Sequence, residues 1–323
     1  MPYAIRIHQT GSPEQMRWEQ VGVGKPGPGE VLVRNTAVGL NYIDTYQRTG
    51  LYPLPLPLTH GNEGAGVVEA LGPKVKEFKK GDRVAYAGPV GSYGEFVIRP
   101  AARLVKIPSG IDDKTAAAMM LKGMTAQYLL RRTYKVKKGD TILVHAAAGG
   151  VGQIMCQWAK HLGATVIGTV GSDEKVPVAK KAGSKYVIVL TKEKFPERVK
   201  EITKGKGVPV VYDGIGKDTF ADSLDCLSPL GLMVSYGNAS GPVTQFNPAI
   251  LAQKGSLFLT RPTLATYTAT REDLLRTARE LFDVVKKKIV KIPINQTYPL
   301  REAAQAHRDL EGRKTTGSTI LIP

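Results

Sequence analysis

Residues 141–163 read TILVHAAAGGVGQIMCQWAKHLG, an apolar strand followed by a glycine-rich turn and an apolar helix. Against the pattern G-x-G-x-x-G, Ala147 replaces the first glycine, and the other two are present as Gly149 and Gly152. Glycines at these places let the backbone approach a pyrophosphate, and the following helix N-terminus offers free N–H groups to it. Because the pattern lies between a buried strand and a helix, it predicts a dinucleotide-binding turn rather than an ordinary glycine-rich loop.

The alternation of strand and helix continues on the carboxyl side of this turn. Further apolar strands are predicted, with helices between them, at 165–170, 186–190, 208–215, 231–237 and 256–260. Strands that alternate with helices are typical of βαβ units on a parallel sheet. The sequence therefore predicts an α/β domain with a doubly wound parallel sheet over residues 123–263.

The residues before this domain follow a different pattern. Short alternating segments, separated by Gly and Pro, occur at 30–41, 64–72, 79–88 and 94–108. They are typical of a β-rich barrel or sandwich. Residues 112–133 are predicted to be helical with a break near Gly123.

The carboxyl-terminal tail is predicted to contain two amphipathic helices, at 271–290 and 299–312, and a final strand. Its return to the β-rich lobe would give a catalytic domain made of residues 1–122 and 264–323. Since ligand sites favour domain interfaces, we expect the active site in the cleft between the two domains.

The composition excludes several classes of protein. No apolar run among the 323 residues is long enough to span a bilayer, and the first eleven residues lack the pattern of a signal peptide. A cytoplasmic location is therefore expected. The two cysteines, Cys156 and Cys226, form neither a disulfide framework nor a structural zinc site, and we expect them to be buried and unreactive.

The formal net charge of +17 favours anionic ligands. The lysines are scattered along the chain and are not interleaved with the aromatic residues that single-strand binders use. A lysine-rich soluble surface is therefore favoured over nucleic-acid binding, which is retained as an alternative secondary activity.

The end of the second predicted strand bears on the choice between NAD and NADP. Enzymes that use NAD usually carry an acid about 20 residues after the glycines, where it holds the ribose 2′-hydroxyl. Here Gly171 and Ser172 form the tip, and Lys175 follows one turn later. Asp173 lies close to the NAD-type position, but with Ser172 as N-cap it falls in a first helical turn, where acids offset the dipole. Ser172 and Lys175 can meet a 2′-phosphate, so the sequence favours NADPH.

Two loops of the first 110 residues have the residue spacing of a zinc alcohol dehydrogenase, in which G-x-C-x-x-D is followed by G-H-E-x-x-G. Asn41 stands at the cysteine position and Asn62 at the histidine position. An amide is a poor zinc ligand compared with thiolate or imidazole, so no metal ligands are predicted.

Tyr46 and Tyr52 can supply an aromatic wall and a phenol donor, or they can simply pack in the core. Asn41 can bond a substrate carbonyl or the nicotinamide ribose, or it can be a turn residue.

With these features the chain resembles the medium-chain dehydrogenase/reductase superfamily, and within it the zinc-free quinone oxidoreductases related to zeta-crystallin. The resemblance covers essentially the whole chain, through GLNYIDTYQRTGLYP, HAAAGGVG, GTVGS and KGSLFLTRP. It implies a GroES-like β-rich catalytic domain, a Rossmann domain and NADPH. It also implies a homodimer that pairs Rossmann sheet edges through residues 231–237 and 255–262.

The resemblance also implies roles for single residues. Asn41 corresponds to an asparagine beside the nicotinamide, and Tyr46 and Tyr52 correspond to aromatic residues that line the quinone site. The other cofactor contacts that it implies are Thr125 near the nicotinamide ribose, Gly149, Gly150 and Val151 at the pyrophosphate, Gly171 and Lys175 at the 2′-phosphate, Asn238 and Arg261 on later strands, and Arg313 in the tail. The glycine pattern itself adds Gly152 to the pyrophosphate contacts.

Three functions are compatible with these features. The first is transfer of hydride from NADPH to a quinone in the interdomain cleft. The second is reduction of an activated C=C bond in an enone or alkenal on the same frame. The third is a nucleotide- or RNA-binding protein with minor redox activity.

Overall fold

The computed structural model describes residues 1–323, and the chain divides into two compact units. The first unit comprises Met1–Met124, Thr268–Lys286 and Ile292–Pro323, and the second comprises Thr125–Tyr267 and Lys287–Lys291. No helix is both long and apolar enough to cross a bilayer.

The strands, in chain order, are β1 Tyr3–Ile7, β2 Arg17–Gln20, β3 Glu30–Leu40, β4 Leu58–Thr59, β5 Glu63–Leu71, β6 Arg83–Ala87, β7 Phe96–Pro100, β8 Val105–Lys106, β9 Thr141–Val144, β10 Thr165–Val170, β11 Tyr186–Val189, β12 Val208–Asp213, β13 Leu227–Ser235, β14 Phe258–Thr260, β15 Ile294–Pro299 and β16 Ser318–Ile322. The α-helices are α1 Tyr42–Thr49, α2 Asp113–Tyr128, α3 Gly150–His161, α4 Val176–Lys181, α5 Phe195–Ile202, α6 Phe220–Leu224, α7 Ala249–Gln253, α8 Leu264–Tyr267, α9 Arg271–Lys286 and α10 Ala303–Glu311.

The second unit is built on a six-stranded sheet of order β11-β10-β9-β12-β13-β14, in which all neighbours are parallel. The chain moves outward from β9 to β11, returns to β12 on the other side of β9, and moves outward again. The strand order thus reverses between β9 and β12, which is where open α/β sheets bind ligands beyond the carboxyl ends of their strands. The predicted doubly wound parallel sheet is confirmed.

The first unit is β-rich, as predicted. Its larger sheet has seven strands in the order β15-β16-β3-β5-β6-β8, with β7 also paired to β3, and a smaller sheet has the order β2-β1-β4. The final strand, β16, pairs antiparallel with β3, with Ile320 opposite Gly39. The tail therefore completes the same sheet that carries the two asparagine loops.

The predicted helix break near Gly123 is wrong, because α2 runs without interruption from Asp113 to Tyr128. The glycine serves packing instead. A β-carbon at Gly123 would lie 2.5 Å from Cδ1 of Leu281, so α9 packs directly against the α2 backbone there. The helix gives way only at its end, where residues Leu129–Thr133 form a π-turn.

Candidate functional site

The glycine-rich turn joins β9 to α3 in the second unit. Gly149 is the N-cap of α3, and because it has no side chain it makes no capping bond to the first turn. The first N–H groups of the helix, which include those of Gly150 and Val151, have no intrahelical acceptors. A helix start of this kind fits a pyrophosphate group.

Gly152 is the glycine on which this turn depends most. A β-carbon there would lie 2.2 Å from the carbonyl oxygen of Ala146 and 2.8 Å from Cα of Ala147. Ala146 itself has a φ of +52°, a left-handed conformation that is unusual for a residue with a side chain. The helix and the strand end therefore meet through backbone atoms, as a dinucleotide turn requires.

The tip of β10 carries the predicted 2′-phosphate residues. No atom lies within 4 Å of a β-carbon built on Gly171, so the backbone there borders open space. Ser172 stands at the N-cap of a short 3₁₀ turn, Asp173–Lys175, but its side chain makes no capping bond. Ser172 therefore occupies the N-cap position, as expected, but the turn that it begins is 3₁₀, and α4 begins only at Val176.

The remaining predicted cofactor residues of the second unit lie close together. Arg261 donates to the carbonyl oxygen of Ser235 at 2.7 Å, which holds its guanidinium beside the segment that contains Asn238. Burial raises the pKa of the Tyr128 hydroxyl, and a hydrogen bond with Thr125 and the positive charge of Arg261 oppose that rise. The structure thus gathers Thr125, Arg261 and the Asn238 segment into one region of this unit.

In the first unit, Asn41 is the N-cap of α1 and is buried. Its Nδ2 donates to Oε2 of Glu63 at 2.8 Å, and the same oxygen accepts a hydrogen bond from Nζ of Lys122 at 3.1 Å. Oε1 of Glu63 accepts the backbone N–H of Leu121 at 2.7 Å. Burial raises the pKa of Glu63, and the Lys122 ammonium and these hydrogen bonds oppose that rise.

Asn62 belongs to a second buried group centred on Asp44. The Asn62 Nδ2 donates to Oδ1 of Asp44 and to Oε1 of Gln47, both at 2.6 Å. The other Asp44 oxygen accepts the N–H of Asn41 and the hydroxyl of Tyr93, both at 2.8 Å. Burial raises the pKa of Asp44 to about 6. Asp44 therefore braces the loop that carries Asn62 against the start of α1.

These contacts define the chemistry that the two asparagine loops offer. Both asparagine side chains donate to carboxylates, Asn41 to Glu63 and Asn62 to Asp44. No group of three or more His, Cys, Asp or Glu side chains in the chain is arranged to hold a metal ion.

Tyr46 and Tyr52 form an edge-to-face pair with ring centroids 5.3 Å apart, and Tyr42 lies 6.2 Å from Tyr46 on the same helix. Tyr46 is buried, whereas Tyr52 is partly exposed. The Tyr42 hydroxyl donates to the carbonyl oxygen of Leu310 at 3.2 Å, so the tail that carries Arg313 lies beside this aromatic cluster. Burial raises the pKa of Tyr42, and the positive charge of Arg313 opposes that rise. The structure therefore brings Tyr46, Tyr52 and Arg313 together within the first unit.

His60 is a fully buried residue with structural contacts. Its Nε2 donates to the carbonyl oxygen of Asp44 at 2.8 Å, and its ring packs edge-on against Tyr93. Burial lowers the pKa of His60 from 6.5 to about 4.

We predict that replacing His60 by glutamine makes folding stability less sensitive to acid. The histidine takes up a proton near pH 6.5 in the unfolded chain but only near pH 4 in the folded protein. The free energy of unfolding therefore keeps its full value above pH 6.5 and falls as the pH is lowered, by about 3 kcal/mol at pH 4. Urea unfolding at pH 7 and pH 4.5 measures the difference. Equal pH dependence in the wild type and His60→Gln would contradict the prediction, and exposed His8 provides the control substitution.

Both cysteines are buried free thiols, as expected. Burial raises the pKa of Cys156 to about 12 and raises that of Cys226 further. Because the thiolate is the reactive form, neither is a candidate nucleophile.

The residue that the sequence analysis missed is Lys122. Glu63 pairs with the backbone amide of Leu121 and with the ammonium of Lys122. One signal was available: Lys122 is the single charge in the apolar run AAAMMLKGMTA. A lone lysine in a buried helix usually has a buried partner.

Two family profiles match the chain. The one described as "Alcohol dehydrogenase GroES-like domain" matches residues 27–109, and the one described as "Zinc-binding dehydrogenase" matches residues 150–280. A quinone oxidoreductase of Pseudomonas aeruginosa is 54% identical over 325 residues and aligns with 100% of both chains. The chain belongs to the quinone oxidoreductase family. It is therefore an oxidoreductase of the medium-chain dehydrogenase/reductase superfamily, and the predicted resemblance is confirmed.

Two further relatives of this chain have names that mention a cofactor or a substrate. The crystal structure of Escherichia coli quinone oxidoreductase complexed with NADPH has a TM-score of 0.98 and 49% identity, and covers 99% of this chain and 100% of that chain. A 2-haloacrylate reductase of Burkholderia is 49% identical over 332 residues, covering 100% of this chain and 99% of its own.

Proposed function

We propose that this protein is an NADPH-dependent quinone oxidoreductase that transfers hydride from NADPH to a quinone without zinc. The observation that carries the proposal is the pairing of Asn41 with Glu63 and of Asn62 with Asp44. Asn41 and Asn62 occupy the positions at which zinc alcohol dehydrogenases have a cysteine and a histidine ligand. Both amides already donate hydrogen bonds to carboxylates.

The glycine-rich turn of the second unit fits NADPH. The start of α3 would hold the pyrophosphate through its N–H groups, and the open backbone at Gly171 leaves room for the adenine ribose. Ser172 and Lys175 would meet the 2′-phosphate. When bound, NADPH supplies the hydride.

The first unit supplies the substrate side of the proposal. Tyr46 and Tyr52 offer a flat aromatic wall with phenol groups, which suits an aromatic acceptor. Asn41 is held rigidly by its bond to Glu63, so its amide is a fixed polar group near this wall on α1. Without a Lewis acid, the acceptor must already be electron-poor, and a quinone meets that requirement.

A second candidate function is reduction of an activated C=C bond, because the Burkholderia relative at 49% identity is named a 2-haloacrylate reductase. Oxidation of NADPH is measured with 1,2-naphthoquinone, 2-chloroacrylate and a simple enone in parallel. The quinone proposal expects fast turnover with the naphthoquinone and none with the two alkenes. Turnover with the alkenes alone would contradict it and establish the second function.

Cofactor preference gives a separate prediction. Replacing Lys175 by alanine removes a cation from the proposed 2′-phosphate site, and we expect the KM for NADPH to rise about tenfold while the KM for NADH stays nearly constant. Steady-state kinetics with both cofactors measures the two values. An unchanged KM for NADPH, together with equal kcat/KM for NADH in the wild type, would contradict the NADPH assignment.

We propose that the protein forms a homodimer through the edge of the six-stranded sheet. β14 is an edge strand, and two large apolar side chains near this edge, Leu230 and Phe258, are 67% and 59% exposed. Exposed apolar edge strands favour pairing with another strand. Light scattering is expected to give twice the chain mass for the wild type and a monomer for Phe258→Asp, and a monomeric wild type would contradict the proposal.

A further inference from the structure

The acid that follows β10, Asp173, is paired with a lysine from the turn after β11. Oδ2 of Asp173 lies 2.6 Å from Nζ of Lys192, and both side chains are 61% exposed. Asp173 stands near the position at which NAD enzymes hold the ribose 2′-hydroxyl, so its charge state bears directly on cofactor choice.

Lys192 reaches this position because β10 and β11 are parallel neighbours that end together. Val170 pairs with Val189, and the N–H of Leu190 donates to the carbonyl oxygen of Val170 at 2.9 Å. The chain then turns, and Lys192 folds back with its N–H donating to the carbonyl oxygen of Val189. The turn after β11 therefore lies beside Gly171 and Ser172, the open tip of β10.

We propose that Lys192 is a specificity-determining residue for a 2′-phosphorylated adenine ribose. This inference rests on the proposed NADPH dependence. The Lys192 ammonium neutralises the charge of Asp173. Without it, the Asp173 carboxylate would repel a phosphate dianion and accept a hydrogen bond from a 2′-hydroxyl. The exposed ammonium also has further N–H donors, which a phosphate oxygen accepts.

The test uses the two adenosine fragments 2′,5′-ADP and 5′-AMP, which differ only in the 2′-phosphate. Calorimetry measures the Kd of each with the intact protein and with Lys192→Met. We expect the Kd of 2′,5′-ADP to rise about tenfold and that of 5′-AMP to change less than about twofold. Lys194→Met is the matched control, because Lys194 is two residues away and 82% exposed.

The role of Asp173 is tested by the double variant Asp173→Asn, Lys192→Met. It is expected to recover part of the affinity for 2′,5′-ADP, because the repelling charge is gone. Unchanged binding in Lys192→Met, an equal loss for both fragments, or no recovery in the double variant would each overturn the inference. If the wild type fails to bind 2′,5′-ADP more tightly than 5′-AMP, the NADPH proposal itself is contradicted instead.

Discussion

Replacing Lys122 by methionine is expected to lower the free energy of unfolding by about 3–5 kcal/mol, because it leaves a buried carboxylate without its counter-ion. The Glu63 side chain has no solvent exposure, and its Oε2 lies 3.1 Å from Nζ of Lys122. Burial already raises the pKa of Glu63, so without the ammonium this carboxyl takes up a proton more readily. Urea unfolding at pH 7.5 measures the loss.

The double variant Glu63→Gln, Lys122→Met separates the ion pair from simple packing. It removes both charges while keeping similar volumes, so we expect it to be more stable than either single variant. The Asn41 amide can still donate to the glutamine carbonyl oxygen. Lys114→Met, on the exposed side of the same helix, is the control. A double variant as unstable as the sum of the singles would show that the pair is not coupled.

Gly152→Ala is expected to weaken NADPH binding more than tenfold, since several charge-assisted hydrogen bonds at the start of α3 would be lost together. The added methyl would lie 2.2 Å from the carbonyl oxygen of Ala146, so α3 has to move away from the strand end. We also expect a loss of about 1–3 kcal/mol in stability from the overpacking. Fluorescence titration with NADPH measures the binding change.

Gly22→Ala is the control for this substitution, because a β-carbon built on Gly22 meets no atom within 4 Å. It should leave both NADPH affinity and stability nearly unchanged. Wild-type affinity for NADPH in Gly152→Ala would mean that the dinucleotide is not held at this turn.

The elements that decide the fold were predictable because their sequence signals are local. A buried strand, three glycines and an apolar helix follow one another within residues 141–163, and the structure places them as β9, the turn and α3. The alternation of strand and helix that follows fixes a parallel sheet for the same reason. The side-chain patterns of neighbouring residues contain this information.

The buried ion pair was not predictable, because it joins residues that are far apart in the chain. Glu63 and Lys122 are separated by 59 residues, and only the packing of α2 against the β-rich sheet brings them together. The same holds for Gly123, whose role depends on Leu281 in the tail. Sequence patterns locate a lone lysine or a glycine in an apolar helix, but its partner is set by tertiary structure.

The Asp173–Lys192 pair illustrates a third case. Local reasoning correctly placed Asp173 in a first helical turn, but it treated the acid as a complement to the helix dipole. The ion pair with Lys192 depends on the turn after the neighbouring strand, which a linear reading of β10 does not include.

The zinc content of catalytically active protein tests the central claim most directly. The protein is purified with a chelator, its metal content is measured, and the same sample is assayed for NADPH oxidation with 1,2-naphthoquinone. The pairing of Asn41 with Glu63 and of Asn62 with Asp44 predicts full turnover with far less than one zinc per chain. Stoichiometric zinc, or turnover that is lost on chelation and restored by zinc, would contradict the account.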